Sequence, residues 1–245
     1  MNIFFEVHKD LPREGPGGNE YTRKAFSMVG DLPSEPYILD IGCGPGMQTI
    51  ELAKISNGHI TALDNHKPFL EVLNRNIEQE GLSDKIKTVH GSMFSLDFPE
   101  STFDLIWSEG AIYIMGFEKG LKEWRHVLKK GGYIAVTECS WIKKNPPEEI
   151  KKFWNENYPG MNNIEENIRI IKNAGYSHIN NFTLPEKAWM DNYYNPIKKR
   201  ISALREIHAG NAEFMKYLDI EEEEIRLYET YSAFYSYVFY IMKSE

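Results

Sequence analysis

The chain has 245 residues, of which 42% are hydrophobic and 26% are charged. Such values are typical of a folded globular protein and exclude a disordered or fibrous chain. A total of 28 lysines and arginines against 36 aspartates and glutamates gives a formal net charge of −8, so a general binder of phosphate backbones is not expected.

The few cysteines and the scattered histidines argue against a structural metal or disulfide framework. Cys43 and Cys139 are too few for a four-ligand zinc site, and no histidines show HxxxH or HExxH spacing, so no metal is expected. The start of the chain lacks the pattern of a signal peptide. The apolar stretch 234–242 is shorter than the ~20 residues of a membrane span. We therefore expect reduced thiols, no membrane contact and a cytoplasmic location.

From residue 37 onward, apolar runs alternate with segments of helical periodicity. Strands are predicted over 37–42, 59–64, 85–92, 103–111, 133–140, 176–184 and 235–243. Helices are predicted over 22–32, 47–55, 68–81, 117–132 and 164–176. This alternation predicts an α/β fold, with a doubly wound, mostly parallel seven-stranded sheet covered by helices on both faces.

Two insertions in this pattern predict a helical cap over the carboxyl edge of the sheet. One covers 141–163, after the fifth strand, and the other covers 186–234, between the last two strands. The acidic run DIEEEE (219–224) in the second insertion is predicted to form a helix N-terminus, where negative charge is favourable.

A glycine loop with the sequence DIGCGPG, from Asp40 to Gly46, is the strongest functional signal. It joins the first predicted strand to a helix, and glycines let the backbone turn sharply and approach a ligand closely. Asp64 ends the next strand and could accept hydrogen bonds from ribose hydroxyls. Because α/β sheets bind ligands at the carboxyl ends of their strands, the sequence predicts a binding site here.

The spacing within the loop indicates which ligand it takes. The pattern is GxGxG, and Met47 stands where the dinucleotide motif GxGxxG has its third glycine. Asp40, two residues before the first glycine, suits an ammonium group better than a pyrophosphate. No GxxxxGK[ST] occurs, so a P-loop enzyme is not expected. The loop and Asp64 together favour a cationic ligand that carries a ribose.

Residues 37–46, Asp64 and the strand FDLIWS resemble the class I S-adenosylmethionine-dependent methyltransferases, in particular the small-molecule branch with the ubiquinone and menaquinone biosynthesis enzymes. Residues 107–141, with SEGAIY and ECSW, are also similar to uncharacterised bacterial methyltransferases. The resemblance covers about residues 20–185. It implies the Rossmann-like methyltransferase fold, S-adenosyl-L-methionine as cofactor, S-adenosyl-L-homocysteine as product, and a small-molecule acceptor.

The resemblance further implies which residues bind the methionine and ribose parts of the cofactor. Asp40 would lie near the amino group, Asp64 would hold the ribose hydroxyls, and Asn65 would flank the adenine. The floor under the methionine part would be formed by Gly42, Cys43, Gly44 and Gly46.

Three further segments are implied to border the cofactor. The adenine edge would be formed by Gly91, Ser92 and Met93, although many relatives have an aspartate at the position of Ser92. The methyl end would be faced by Ser108, Glu109 and Gly110. The N-terminal loop, including Tyr21, would fold over the cofactor.

Methyl transfer from a sulfonium is an in-line displacement, in which the protein mainly positions and desolvates the reactants. Glu109 and Tyr113, near the end of the fourth strand, are the predicted catalytic residues. Two acids at adjacent strand ends could bind a cationic amine or deprotonate it, and the aromatic residues suit a planar or cationic acceptor. The predicted substrate-binding residues are Glu138, Trp141, Trp154 and Tyr193.

We thus expect a single methyltransferase domain over residues 1–245. Its predicted parts are an N-terminal lid (1–36), a cofactor-binding core (37–140), cap insertions (141–163 and 186–234) and the rest of the sheet (164–185 and 235–245). No (D/N)PP(Y/F) follows the fourth strand, so a nucleic-acid substrate is not expected. The chain could be a monomer or a homodimer.

Two other functions stay open at this point. One is an NAD(P)-dependent oxidoreductase on the same sheet, which the GxGxG spacing disfavours. The other is a non-catalytic, cofactor-binding relative, which the intact glycine loop disfavours. The methylated atom, whether N, O or C, cannot be read from the sequence, because catalysis by positioning suits several nucleophiles.

Overall fold

The computed structural model describes residues 3–245, and its centre is one seven-stranded sheet of order β3-β2-β1-β4-β5-β7-β6. The strands are β1 Tyr37–Ile41, β2 His59–Asp64, β3 Ile86–His90, β4 Phe103–Ser108, β5 Leu128–Trp141, β6 Tyr176–Thr183 and β7 Tyr235–Ser244. All pairings are parallel except those of β7, which runs antiparallel to β5 and β6. The predicted doubly wound, mostly parallel seven-stranded sheet is confirmed.

Helices flank the sheet and supply the cap. They are α1 Ile3–His8, α2 Asn19–Phe26, α3 Met47–Ile55, α4 Lys67–Gln79, α5 Phe117–Glu123, α6 Glu148–Asn157, α7 Ile164–Asn173, α8 Glu186–Trp189, α9 Asn195–Ile207 and α10 Ala212–Tyr231. Two 3-10 turns, Ile112–Ile114 and Trp124–Val127, and one π-helical turn, Met190–Tyr194, complete the set. Within residues 3–245, no helix is long and apolar enough to cross a bilayer.

The sheet is buried on both faces because its central strands are mostly apolar where they meet helices, with Asp40, which accepts from Gln48 and Thr49 of α3, as an exception on β1. On β1, Leu39 and Ile41 pack into the core of one face, whereas Ile38 packs into the core of the other. This alternation follows from the two-residue period of a strand. A third core joins the cap to the N-terminal segment, with Val7 of α1 packed in the same cluster as Ile197 and Leu218.

The predicted helix over 117–132 is wrong in its second half. The α-helix ends at Glu123, and β5 already begins at Leu128, which pairs with Phe103. Gly131 and Gly132 therefore lie inside the strand, at an irregularity of its register. Gly131 has φ +74°, and a Cβ on Gly132 would lie 2.9 Å from Leu128 and 3.0 Å from a backbone oxygen, so both positions require glycine.

The predicted position of the acidic run 219–224 is also wrong. The run lies in the middle of α10, whose N-terminus is instead capped by Asn211. Helical periodicity places the acids of the run on two faces. The outward acids, Asp219 and Glu222, pair with Arg205. The inward acids, Glu221 and Glu224, share a face with the buried residues Leu218 and Ile225.

The N-terminal region differs from the prediction as well. The helix predicted over 22–32 begins at Asn19 and ends at Phe26, and the short helix α1 was not predicted at all. The first two residues of the segment 1–36 lie outside the described residues.

Candidate functional site

A cleft of about 230 Å³ opens beyond the carboxyl ends of β1, β2, β3 and β4. It is smaller than the roughly 300–1,000 Å³ of ordinary ligand pockets. The predicted residues that line it are Gly42, Cys43, Gly44, Asp64, Asn65, Gly91, Met93, Glu109, Gly110 and Tyr113. The structure therefore brings most of the residues expected around the cofactor to one place.

The glycine loop forms the floor of the cleft through a backbone path that requires glycine. Gly42, Gly44 and Gly46 have φ values of +71°, +54° and +90°. Gly44 donates its N–H to an oxygen of Asp64 at 2.9 Å, which ties the loop to the end of β2. A Cβ on Gly46 would lie 2.2 Å from Leu73, so this glycine packs against α4 and is not part of the lining.

Asp64 is held in a fixed orientation at the edge of the cleft. Its Oδ2 accepts the N–H of Gly44, and its Oδ1 accepts the N–H of His66 at 2.8 Å. Burial raises the pKa of Asp64, while these backbone donors counteract the rise. The result is a preorganised acceptor for hydroxyl groups.

Asp40 lies beneath the floor and has one oxygen without a partner. Thr49 donates to its Oδ2 at 2.6 Å, and Gln48, which also lines the cleft, donates to the same oxygen at 3.3 Å. Oδ1 has no hydrogen-bond partner. Burial raises the pKa of Asp40 to about 7. A buried carboxylate oxygen without a donor is unfavourable, so this one is suited to an ammonium group from a ligand.

Glu109 lies in the cleft with both carboxylate oxygens already occupied. Oε2 accepts from Arg13 Nη2 at 2.6 Å, and Oε1 accepts from Thr22 at 2.7 Å and from Trp107 at 2.9 Å. A carboxylate with three donors holds its surroundings in place and is poorly placed to take a proton from an acceptor. Its assignment as a catalytic residue stays a prediction that this geometry disfavours.

Arg13 was not singled out from the sequence, although it is central to the cleft. It is 4% exposed and lines the cleft, and its Nη1 has no hydrogen-bond partner. The glycines and proline that follow it indicate a loop, but no sequence pattern distinguishes a buried arginine from a surface one. Only the long-range contact with Glu109 reveals its place.

The N-terminal segment covers the cleft. Phe4 and Phe5 of α1 and Glu14 line it. The ring of Phe5 stacks on His66 at 3.5 Å with an interplanar angle of 6°. Phe4, Phe5 and Glu14 were also missed from the sequence, because a short aromatic helix and the loop after it give no pattern that indicates a binding role.

Several predicted cofactor residues lie just outside the lining. Ser92 accepts the N–H of Phe94 and bridges to Ser95, and Ser108 donates to the carbonyl of Ile41 at 2.9 Å. Tyr21 packs against the hydrophobic core of one sheet face. The predicted contacts of these residues with a ligand stay predictions.

The predicted substrate-binding residues fall into two groups. Trp141 and Trp154 are partly buried and pack against the core of the cap, each edge-on to Tyr235. Glu138 and Tyr193 are also absent from the lining of the cleft. Glu138 accepts a hydrogen bond from Tyr158, whose ring lies 5.9 Å from that of the cleft residue Tyr113, and the ring of Tyr193 lies 5.9 Å from that of His8.

Comparison with known proteins agrees with this geometry. Residues 38–132 match the family described as "Methyltransferase domain". Sterol 24-C-methyltransferase erg6 of Aspergillus fumigatus is 29% identical over 168 residues, which are 65% of this chain and 45% of that protein. The chain thus spans less than half the length of this curated relative.

Solved structures share the fold over nearly the whole chain. A SAM-dependent methyltransferase from Geobacter sulfurreducens, crystallised with S-adenosyl-L-homocysteine, has a TM-score of 0.83 at 17% identity, covering 100% of this chain and 98% of its own. The [4+2]-cyclase SpnF has a TM-score of 0.77 at 17% identity, covering 99% and 92%. Such identities establish the fold alone, and because a cyclase and a methyltransferase share it, the fold does not decide the reaction.

The family match covers the glycine loop, Asp64 and the cleft-lining residues from Gly42 to Ile114, but not those of the N-terminal segment. The alternative of an NAD(P)-dependent oxidoreductase finds no support in these comparisons. Residues 38–132 form a methyltransferase domain, and the chain has the fold of the class I S-adenosylmethionine-dependent methyltransferases.

Proposed function

We propose that this chain transfers a methyl group from S-adenosylmethionine to a small-molecule acceptor by in-line displacement. The observation that carries the proposal is two buried polar atoms without hydrogen-bond partners, Asp40 Oδ1 beneath the glycine loop and Arg13 Nη1 in the lining of the cleft. The methionine end of S-adenosylmethionine carries an ammonium group, which would pair with the Asp40 oxygen, and a carboxylate, which would pair with the Arg13 nitrogen. Arg13 is also near enough to Asp40 to counteract the rise in its pKa.

The other end of the cleft suits a nucleoside. Asp64 presents its fixed carboxylate to ribose hydroxyls, and Asn65, Gly91 and Met93 border the space beyond it. Phe5 and His66 add a stacked aromatic pair beside this part of the cleft. The order of these groups along the cleft, from Arg13 to Met93, therefore matches an amino acid joined to a ribose and a planar base.

When bound, S-adenosylmethionine would supply an electrophilic methyl group on a sulfonium. The chain's own contribution is to hold the two ends and to exclude water with the N-terminal segment. Tyr113 and Gly110 lie where β4 ends, beside the part of the cleft that Glu109 and Arg13 border. Tyr113 is the aromatic residue that we assign to the acceptor side.

Three related proposals accompany this function. Residues 1–36 act as a lid over the core 37–140, and the insertions 141–163 and 186–234 form the cap over the acceptor. The acceptor is a small molecule and not a nucleic acid, in agreement with the net charge of −8. The chain works in the cytoplasm, as a monomer or a homodimer.

Titration calorimetry tests the cofactor. We expect S-adenosylhomocysteine to bind the full chain with micromolar affinity and NADH not to bind. Asp64→Ala should weaken S-adenosylhomocysteine at least about tenfold, since hydrogen bonds to a charged group contribute about 1.5–3 kcal/mol. Asp97→Ala, an exposed acid on the loop before β4, is the matched control and should change nothing.

Transfer of a tritiated methyl group tests the reaction. Incubation of the full chain with labelled S-adenosylmethionine and separate preparations of metabolites, RNA and protein should label the metabolites alone. Label in RNA or protein only would exclude a small-molecule acceptor. Binding of S-adenosylhomocysteine without transfer to any preparation would favour the non-catalytic relative.

A further inference from the structure

A group of tyrosines and carboxylates lies between the cleft and the cap, and we name it the inner chamber: Tyr113, Tyr193, Tyr237, Glu224 and, behind Tyr158, Glu138. Tyr237 pairs across the sheet with Cys139, the residue after Glu138. The ring of Tyr193 lies 5.1 Å from that of Tyr194, whose hydroxyl donates to Glu224 at 2.9 Å. Tyr193, Tyr237 and Glu224 are half-buried, so part of the surface of each is open to contact.

Tyr113 connects this chamber to the cleft. It lines the cleft, and 39% of the residue is exposed. Desolvation of its hydroxyl by the surrounding protein, together with the charges of Glu224 and Glu138, raises the pKa of that hydroxyl to about 12. Its ring meets the ring of Tyr158 edge-on at 5.9 Å, and the Tyr158 hydroxyl donates to Glu138. Thr137, the residue before Glu138, accepts the N–H of Gly110 at 2.7 Å, which fixes this end of β5 beside the cleft.

The chamber holds more acidic than basic side chains. His8 is the nearby cation, and it is shared by Glu14 at 3.2 Å and Glu221 at 3.8 Å. Among the residues that the structure describes, no lysine or arginine pairs with Glu138 or Glu224. Glu224 accepts a hydrogen bond from Tyr194 at 2.9 Å.

Glu138 supplies a second, independent observation. It is 1% exposed, and only its Oε1 has a donor, the Tyr158 hydroxyl. Its Oε2 has no hydrogen-bond partner, which is unfavourable for a buried carboxylate. Buried carboxylates in proteins are normally matched by a cation, and here the chain itself provides none for Glu138.

We propose that the inner chamber binds the methyl acceptor as an amine, with its positive charge facing Glu138 and Glu224 and its substituents against the rings of Tyr113 and Tyr193. Tyrosine faces attract cations, and this attraction is strongest where water is excluded. An ammonium in this position transfers one proton to Oε2 of Glu138, which leaves a neutral amine with a free lone pair and a neutral carboxylic acid. Burial raises the pKa of Glu138 to about 8, which suits a base near neutral pH.

This inference rests on the proposed function, so its test first measures cofactor binding. The full chain is saturated with S-adenosylhomocysteine in a calorimeter at pH 8 and then titrated with choline or with its uncharged isostere, 3,3-dimethyl-1-butanol. We expect choline to bind at least about tenfold more tightly than the alcohol. Glu138→Gln and Glu224→Gln should each abolish this preference and leave the affinity for S-adenosylhomocysteine within about twofold.

Matched variants separate the site from general effects. Glu148→Gln, an exposed acid at the start of α6, keeps the preference for choline, and Tyr113→Leu weakens choline without altering the alcohol. Unchanged affinity for S-adenosylhomocysteine in Glu138→Gln shows that this variant is folded. If the unaltered chain binds choline and the alcohol equally, or if both glutamine variants keep the full preference for choline, the amine site is overturned and the proposed function is not. Failure of S-adenosylhomocysteine to bind the unaltered chain overturns the proposed function, and the amine site with it.

Discussion

Arg13 and Glu109 are 96 residues apart in the chain and form a buried ion pair, with 2.6 Å between Nη2 and Oε2. The side chains are 4% and 0% exposed. This pair joins the N-terminal segment to the end of β4, directly at the cleft. The covering of the cleft therefore depends on one buried charge pair as well as on the aromatic contact of Phe5 with His66.

The two partners of this ion pair should differ in how much stability each contributes. Glu109→Gln leaves Arg13 buried without a counter-ion, and we expect a loss of about 3–5 kcal/mol in the free energy of unfolding. Arg13→Met should cost less, because Glu109 keeps its donors Thr22 and Trp107. Urea denaturation of both single variants and the double variant measures this. Equal losses, or strict additivity in the double variant, would contradict the assigned pairing.

Much of the fold followed from local sequence pattern. The strands of the sheet have apolar runs bounded by glycine or polar residues, and the cleft floor follows from the DIGCGPG loop and Asp64. These features are local, so the sequence reveals them. By contrast, the start of β5 at Leu128 depends on the pairing of Leu128 with Phe103. This contact across the sheet outweighs the helical periodicity of 117–132.

The parts of the site that were missed depend on contacts between distant segments. The role of Arg13 requires Glu109, and the inward direction of Glu224 becomes clear only once α10 is seen to begin at Ala212. Trp141 and Trp154 show a different difficulty: their aromatic character fits an acceptor site, yet both pack, partly buried, against the core of the cap, so their binding role stays a prediction. Composition alone does not distinguish a ligand wall from a core.

Binding of the cofactor should protect the N-terminal segment from proteolysis. The cleft is small while α1 covers it, so entry of a ligand requires this segment to open. If a ligand holds the segment closed, S-adenosylhomocysteine at ~100 times its dissociation constant should slow tryptic cleavage after Arg13 about 100-fold. Asp64→Ala at the same ligand concentration should be protected about tenfold or less, because its affinity is at least about tenfold lower. Equal cleavage of the unaltered chain with and without ligand would exclude a lid.

Gly46 should tolerate no side chain, for reasons of both backbone and space. Its φ of +90° is unfavourable for other residues, and an added Cβ would meet Leu73 at 2.2 Å. We expect Gly46→Ala to lower the free energy of unfolding by at least about 2 kcal/mol. Gly210→Ala, where nothing lies within 4 Å, is the control and should change it by less than about 1 kcal/mol. Similar thermal shifts for the two variants would contradict the packing of the loop against α4.

Stability should fall as pH rises from weakly acidic to weakly basic values, with Glu138 as a main cause. Burial raises the pKa of Glu138 from 4.5 to about 8, and burial also raises the pKa of Asp40 and Glu224 to about 7 each. Between pH 4.5 and 8 the unfolded chain loses the Glu138 proton while the folded chain retains it. The stability contributed by the protonated form is thus complete below pH 4.5 and is lost as pH rises through 8.

Glu138→Gln isolates this effect, because glutamine keeps the shape and does not ionise. Between pH 5.5 and pH 8, the free energy of unfolding of the unaltered chain should fall by on the order of 3 kcal/mol more than that of Glu138→Gln. His8 titrates in the same range in both proteins: burial lowers its pKa, but Glu14 and Glu221 outweigh this and raise it to about 9. Its contribution therefore cancels in the comparison. Chemical denaturation at both pH values provides the measurement, and parallel pH profiles for the two proteins would show that Glu138 is ionised in the folded state already at pH 5.5.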